Sequence, residues 1–173
     1  MKREIALRLA KALRSGDYVQ AKGILNRTSP GIDSHGNDAT VGHCCLGVLC
    51  ELAVQDGLLR KKSKAEDGEV YTIYSGLDYL DAGYAFPPRD AQDWAGLFES
   101  NIFFDLTDDE RVSGDEFRPY REVCWDGNDK RYIYAASTLN DTLGFSFDDI
   151  AELLENEKYL SAEEARVFKH GPE

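Results

Sequence analysis

Apolar residues recur on one helical face near the start of the chain, with charged residues between them: Ile5, Leu9, Ala12 and Leu13. This spacing predicts a first helix that ends at residues 15–17, where Gly16 suits the left-handed position after a last turn. Residues 18–25 then read as a strand interrupted at Gly23, and residues 26–40, rich in Gly, Ser, Asn, Asp and Pro, as a loop.

The most apolar stretch of the chain is residues 41–56. It carries a second helical stripe, made of Cys45, Leu49, Leu52 and Ala53. We therefore predict a buried helix there, closed by Gly57. The basic run 60–64 together with 66–68 is predicted to be an exposed connection, and the alternation in residues 69–75 predicts a strand.

The pattern of the second half of the chain predicts further helices on either side of a middle segment whose pattern is less distinct. Two prolines at 87 and 88 favour a short helix whose apolar side includes Ala91 and Trp94. Residues 102–130 carry many acids and predict a surface excursion of turns and one short helix, opened by a capping box at Thr107.

The final segments are mostly helical in pattern. Residues 131–139 are apolar, but their pattern does not separate helix from strand. Asn140, Asp141 and Gly144 indicate a turn, after which Ser146 caps a clear helix. A last helix is predicted from Ser161, followed by a flexible end at about 169–173.

These elements predict one α+β domain over residues 1–173, with four to five helices packed on a small, mainly antiparallel sheet. We expect the helix after Ser146 to pack against the stripe of Cys45, Leu49 and Leu52, with Trp94 sealing the edge. A length of 173 residues suits a single core. No apolar run approaches the roughly 18 residues of a membrane span, and no signal-peptide core follows the charged start, so we expect a cytoplasmic protein without membrane contact.

The formal net charge of −12 argues against binding to duplex nucleic acid, which requires Lys and Arg to neutralise phosphates. Residues 1–27 run against this trend, with seven basic and two acidic side chains. The acids gathered in the predicted excursion form the candidate partner-binding surface: Asp105, Asp108, Asp109, Glu110, Asp115 and Glu116.

Three of the four cysteines lie within seven residues, at Cys44, Cys45 and Cys50. A thiol at a helix N-terminus can serve as a nucleophile, which makes Cys44 or Cys45, with His43 as a base, a weak catalytic candidate. Their contiguity does not match the paired spacing of structural zinc ligands. We therefore predict packing cysteines, with no metal and no cofactor.

Five segments together resemble a family of small uncharacterised proteins encoded by tailed bacteriophages and prophages. They are residues 13–18 with Gln20 and Gly23, residues 44–53 (Cys-Cys-Leu-Gly-Val-Leu-Cys-Glu-Leu-Ala), residues 94–97, residues 139–141, and Ser146, Phe147, Ile150 and Ala151. The resemblance runs from about residue 13 to 154, while 60–86 and 102–130 look peculiar to this chain. It implies a phage or prophage origin and a life in the host cytoplasm, and it supplies no activity.

This origin favours an accessory interaction protein that binds and inhibits a host factor, such as a component of a defence system. The acidic surface suits a protein partner, of host or phage, with a basic groove that normally holds nucleic acid. Two alternatives stay open: a small cysteine-dependent enzyme using Cys44 or Cys45, and a protein that sequesters a small ligand in an aromatic pocket. We favour a role without catalysis.

Overall fold

Two β-sheets and five α-helices make up the described part of the chain. The computed structural model describes residues 1–28, 41–66, 69–76, 82–83, 85–97, 100–106, 121–125 and 129–159. The helices are α1 (Arg3–Leu13), α2 (Cys45–Gln55), α3 (Arg89–Ala95), α4 (Ala136–Asp141) and α5 (Phe147–Glu155), followed by a 3-10 turn at Glu157–Tyr159. The strands are β1 (Val19–Gln20), β2 (Asn26–Thr28), β3 (Val41–His43), β4 (Arg60–Glu66), β5 (Glu69–Ser75), β6 (Ala82–Gly83), β7 (Phe103–Asp105), β8 (Arg121–Trp125) and β9 (Asp129–Ala135).

The larger sheet has the strand order β1-β3-β2-β5-β4, with β6 also paired to β5. Only the β1–β3 pairing in it is parallel, and the others are antiparallel. The smaller sheet is antiparallel, in the order β7-β9-β8. Mixed helix and sheet content of this kind confirms the predicted α+β class. No helix in the described ranges is long and apolar enough to cross a membrane.

One hydrophobic core joins the helices to both sheets. Helix α2 is its centre, because every residue from Cys45 to Ala53 is buried. Helix α5 begins at a capping box, in which the Ser146 hydroxyl accepts from the Asp149 backbone N–H and the Asp149 carboxylate accepts in return from Ser146. Its buried residues include Phe147, Ile150 and Leu154, as the helical stripe predicts.

The partner predicted for α5 was wrong. Helix α5 packs chiefly against α1, whereas α2 packs against α1, α3 and α4. The side chain of Arg14, the C-cap residue of α1, pairs with Glu155 at the end of α5, and Arg3 donates to the Leu154 carbonyl. Trp94 is partly buried against the core and carries the Arg8 guanidinium over its ring at 5.9 Å.

Gly47 allows α2 to lie directly against the backbone at Leu25. A Cβ atom at position 47 would come within 1.6 Å of the Leu25 carbonyl oxygen. The same oxygen accepts a hydrogen bond from the Cys44 backbone N–H at 3.2 Å. The close approach therefore fixes where the helix starts relative to the chain that leads into β2.

Several residues of the family resemblance form one hydrogen-bond network. The Gln20 side chain donates to Asn140 Oδ1 at 3.0 Å and to the Phe145 carbonyl at 2.7 Å, and accepts from the Phe147 backbone N–H. Asn140 is fully buried and donates to the Ala21 carbonyl at 2.8 Å. These residues tie the end of β1 to the connection between α4 and α5.

The structure corrects several predictions in the first half of the chain. Residues 18–25 are not one strand, because β1 stops at Gln20 and Gly23 turns the chain with φ +88°. The predicted loop at 26–40 starts with β2, and the predicted helix at 41–56 starts with β3 before α2. The basic run is exposed, as predicted, but it forms strand β4 and not a connection. Strand β4 lies at the edge of the described sheet, where its lysines discourage further pairing.

Other corrections concern the second half. The predicted surface excursion starts with β7, where Phe104 is fully buried, and contains β8. Residues 131–139 contain both a strand and a helix, since β9 ends at Ala135 and α4 follows. The predicted turn at Asn140 is instead the end of α4, and Gly144 turns with φ +72°. The predicted capping box at Thr107, the last helix and the flexible end lie outside the described residues.

Candidate functional site

A cleft of about 580 Å³ opens where the larger sheet meets the buried face of α2. It is lined by Asp17, Tyr18, Asn26, Val41, His43, Glu51, Lys61, Ser63 and Thr72. The strand register explains why these residues meet. Asn26 pairs with His43 across β2 and β3, and Ser63 pairs with Thr72 across β4 and β5, so each pair projects from one face of the sheet.

Glu51 is the charged centre of this cleft. It projects from the middle of α2 and is 8% exposed. Its Oε1 accepts from the Tyr74 hydroxyl at 2.7 Å, and its Oε2 accepts from Lys61 Nζ at 2.7 Å. Burial raises the pKa of Glu51, but the hydrogen bonds from Lys61 and Tyr74 and the charge of Lys61 oppose the burial, and the pKa is lowered to about 2. The carboxylate is therefore held ionised inside the protein.

The ionised carboxylate sets the hydrogen-bond directions around it. Because Glu51 can only accept, the Tyr74 hydroxyl proton points at Glu51, and burial and this carboxylate raise the pKa of Tyr74. The Tyr74 oxygen is then free to accept from Asn26 Nδ2, 3.4 Å away. The same amide nitrogen lies 2.8 Å from His43 Nε2. With the amide in this orientation, His43 Nε2 accepts from Asn26, which assigns the ring proton to Nδ1.

Two polar atoms in this network have no hydrogen-bond partner among the described residues. They are Asn26 Oδ1, which is an acceptor, and His43 Nδ1, which is a donor because it carries the ring proton. Asn26 is 3% exposed and His43 is 7% exposed. Buried polar groups in native proteins are almost always paired, because an unpaired one costs about 1–3 kcal/mol. Both residues line the cleft, but the two atoms themselves have almost no accessible surface, so a bound molecule reaches them only if the side chains around them shift.

Tyr18 forms the aromatic wall of the cleft. Its ring meets the His43 ring edge-on, with centroids 5.2 Å apart and planes at 84°. Burial raises the pKa of Tyr18, and the charges of Glu51 and Asp17 raise it further.

The predicted catalytic cysteines lie at the start of α2, with Cys44 at its N-cap and Cys45 in its first turn. Cys44, Cys45 and Cys50 are all buried and free of disulfides. Burial raises the pKa of Cys44 to about 11, although the backbone N–H groups of Gly47 and Leu46 oppose it. Burial also raises the pKa of Cys45 and of Cys50. The Cys45 thiol lies 3.7 Å from the Ala136 carbonyl, as a packed side chain would.

The predicted acidic surface is described at one residue only. Asp105 lies in β7 and is half-buried, so the exposure expected of it is not found. Asp108, Asp109, Glu110, Asp115 and Glu116 lie outside the described residues. Within the described ranges, no three His, Cys, Asp or Glu side chains are grouped as a metal would need.

The sequence reasoning singled out His43 but missed Asn26, Glu51, Lys61 and Tyr74. One signal for Glu51 was present, because it is the only charged residue in the apolar helix Cys45–Gln55. A charge in that position requires a partner. Its hydrogen-bond partners, Lys61 and Tyr74, come from β4 and β5, and no local pattern shows that these strands converge on α2.

Comparison with known proteins adds a family and no activity. No curated protein and no solved structure is significantly similar to the chain. One family profile does match, described as a domain of unknown function (DUF8296), and the match spans residues 1–158. It covers the first helix, the cleft and α5. The chain therefore belongs to the DUF8296 family.

Proposed function

We propose that this protein binds a small polar molecule in the cleft beside α2 and sequesters it. The observation that carries the proposal is the pair of buried, unpartnered atoms, Asn26 Oδ1 and His43 Nδ1, in residues that line an open cleft. A ligand that supplies one donor and one acceptor removes the cost of both unpaired groups.

The rest of the network supports this role because it holds the two groups in place. Asn26 is oriented by Tyr74, and Tyr74 in turn by the ionised Glu51. Side chains fixed before binding lose little entropy on binding. The volume of about 580 Å³ falls within the range typical of small-molecule sites, roughly 300–1,000 Å³.

A thermal-shift screen tests the proposal. The purified chain is heated with pools of amines, of uncharged sugars and nucleosides, and of carboxylates. We expect one pool to raise the Tm, since a ligand at 100 times its Kd stabilises by about 2.7 kcal/mol. The rise should be lost in Asn26→Ala and retained in Asp148→Asn, which alters an exposed residue of α5. Equal Tm values with and without every pool would refute the proposal.

The structure gives less support to a cysteine-dependent enzyme. Cys44 and Cys45 are buried with raised pKa values, which disfavours the thiolate that attacks a substrate. The Nε2 of His43 faces Asn26. Loss of an activity in Cys44→Ser with the fold retained would reinstate the enzyme alternative.

The net charge supports a second candidate, the phage-encoded inhibitor of a host factor. A chain with net charge −12 attracts a partner with a basic groove, and such attraction weakens steeply with salt. Replacing Asp108, Asp109 and Glu110 with Ser should leave the free energy of unfolding within about 1 kcal/mol. It should also abolish any salt-sensitive binding to a purified host factor. Unfolding of this variant would remove the basis for an exposed acidic surface.

A further inference from the structure

The charges in the cleft distinguish between classes of ligand. Two carboxylates line it, Asp17 and Glu51, against one ammonium group, that of Lys61. Lys61 is committed to Glu51 at 2.7 Å, so their charges cancel. Asp17 is exposed and has no ionic partner among the residues that the structure describes. The cleft therefore keeps a net negative charge, which disfavours an anionic ligand.

The unpaired acceptors of the cleft also favour a positively charged ligand. Asn26 Oδ1 is a buried acceptor without a partner, and the Asp17 carboxylate adds acceptors on the exposed wall. A ligand with several N–H groups can donate to acceptors of this kind. The Tyr18 ring lines the same cleft, and a cation is attracted to the face of such a ring.

We propose that the cleft binds a small organic cation, a primary amine or a guanidine, through Asp17, Asn26 and the ring of Tyr18. This inference rests on the proposed function, because it names the ligand class of the same cleft. The Nδ1–H of His43 is a donor and therefore pairs with an oxygen of the ligand. Amines that also carry hydroxyl or carbonyl oxygens should bind more tightly than plain amines.

The experiment is calorimetric titration of the full chain with probes of matched size. Glucosamine and N-acetylglucosamine differ in the charged amine, and glucuronate supplies an anion of similar shape. Spermidine and agmatine supply amines without a hydroxyl. Asp17→Asn is the test variant because Asp17 is exposed, and Asn26→Ala is a second one. Asp148→Asn removes the same charge from an exposed side chain on α5 and is the matched control.

We expect glucosamine to bind more tightly than N-acetylglucosamine. Asp17→Asn and Asn26→Ala should each weaken it by about tenfold or more, the usual effect of losing a charge-assisted hydrogen bond. Asp148→Asn should bind as the wild type does. Equal weakening in Asp17→Asn and Asp148→Asn would show attraction by net charge only and would overturn the inference.

Two other results overturn the inference and separate it from the proposed function. If N-acetylglucosamine or glucuronate binds more tightly than any amine, and Asn26→Ala abolishes that binding, the cleft is a ligand site of another class. That result would support the proposed function and would refute the inference that the ligand is a cation. If no amine binds the wild type and every pool of the thermal-shift screen fails, both are refuted.

Discussion

Replacing Glu51 with Gln should remove a pH-dependent part of the stability. The pKa of Glu51 is about 2 in the folded protein, against an ordinary value of 4.5. A lowered pKa means that the ionised group stabilises the fold fully above pH 4.5, and that this contribution is lost as the pH falls towards 2. Each pKa unit corresponds to 1.36 kcal/mol, so lowering the pH from 6 to 3 should remove about 2 kcal/mol.

The assay is urea unfolding of wild type and Glu51→Gln at pH 6 and pH 3, followed by tryptophan fluorescence. The free energies of unfolding are compared at each pH, so that the titration of the other acids largely cancels. The advantage of the wild type should shrink by about 2 kcal/mol between the two conditions. Glu4→Gln, which changes an exposed acid on α1, should differ from wild type by less than about 0.5 kcal/mol at either pH. A wild-type advantage over Glu51→Gln that is the same at pH 6 and pH 3 would refute the ionised, hydrogen-bonded Glu51.

Four further substitutions test the packing and the network by the same unfolding measurement. Gly47→Ala should cost about 3 kcal/mol or more, because the new Cβ meets the Leu25 carbonyl oxygen at 1.6 Å; a variant as stable as wild type would contradict this close approach. Leu49→Ala and Ile150→Ala should each cost about 2–5 kcal/mol, since both side chains are fully buried, and losses below 1 kcal/mol at both would place them at the surface. Tyr74→Phe should cost about 1–3 kcal/mol by removing a buried donor to Glu51, and no loss would argue against that hydrogen bond.

Helices α1, α2, α3 and α5 were predictable because their information is local, whereas the pattern at α4 did not separate helix from strand. The stripes in α1 and α5 and the cap at Ser146 each depend on residues within a few positions of one another. The short strands were not predictable, since β1, β2 and β3 have only two or three residues each and exist through pairing with distant segments. The basic strand β4 was missed because its lysines indicate exposure to solvent. Exposed lysines fit a surface connection and the edge strand of a sheet equally well.

The candidate site was predictable only in part. His43 attracted notice for its proximity to the cysteines, but its neighbours in the cleft are Asn26 from β2 and Tyr18 from the chain before β1. Glu51 and Lys61 are ten residues apart, yet the contact between them requires β4 to return alongside α2. A pairwise contact of that kind depends on strand order, which the pattern of apolar residues does not encode.

The measurement that tests the ligand cleft most directly is a nitrogen NMR titration of the His43 ring. The chain has three histidines, and the signal of His43 is assigned by its loss in His43→Gln. The hydrogen-bond network predicts a ring protonated on Nδ1 in the free protein, and a saturable shift of that nitrogen when the amine, uncharged or carboxylate pool is added. A His43 ring protonated on Nε2 alone, or one that no pool shifts, would contradict the claim that the cleft is built to bind a ligand.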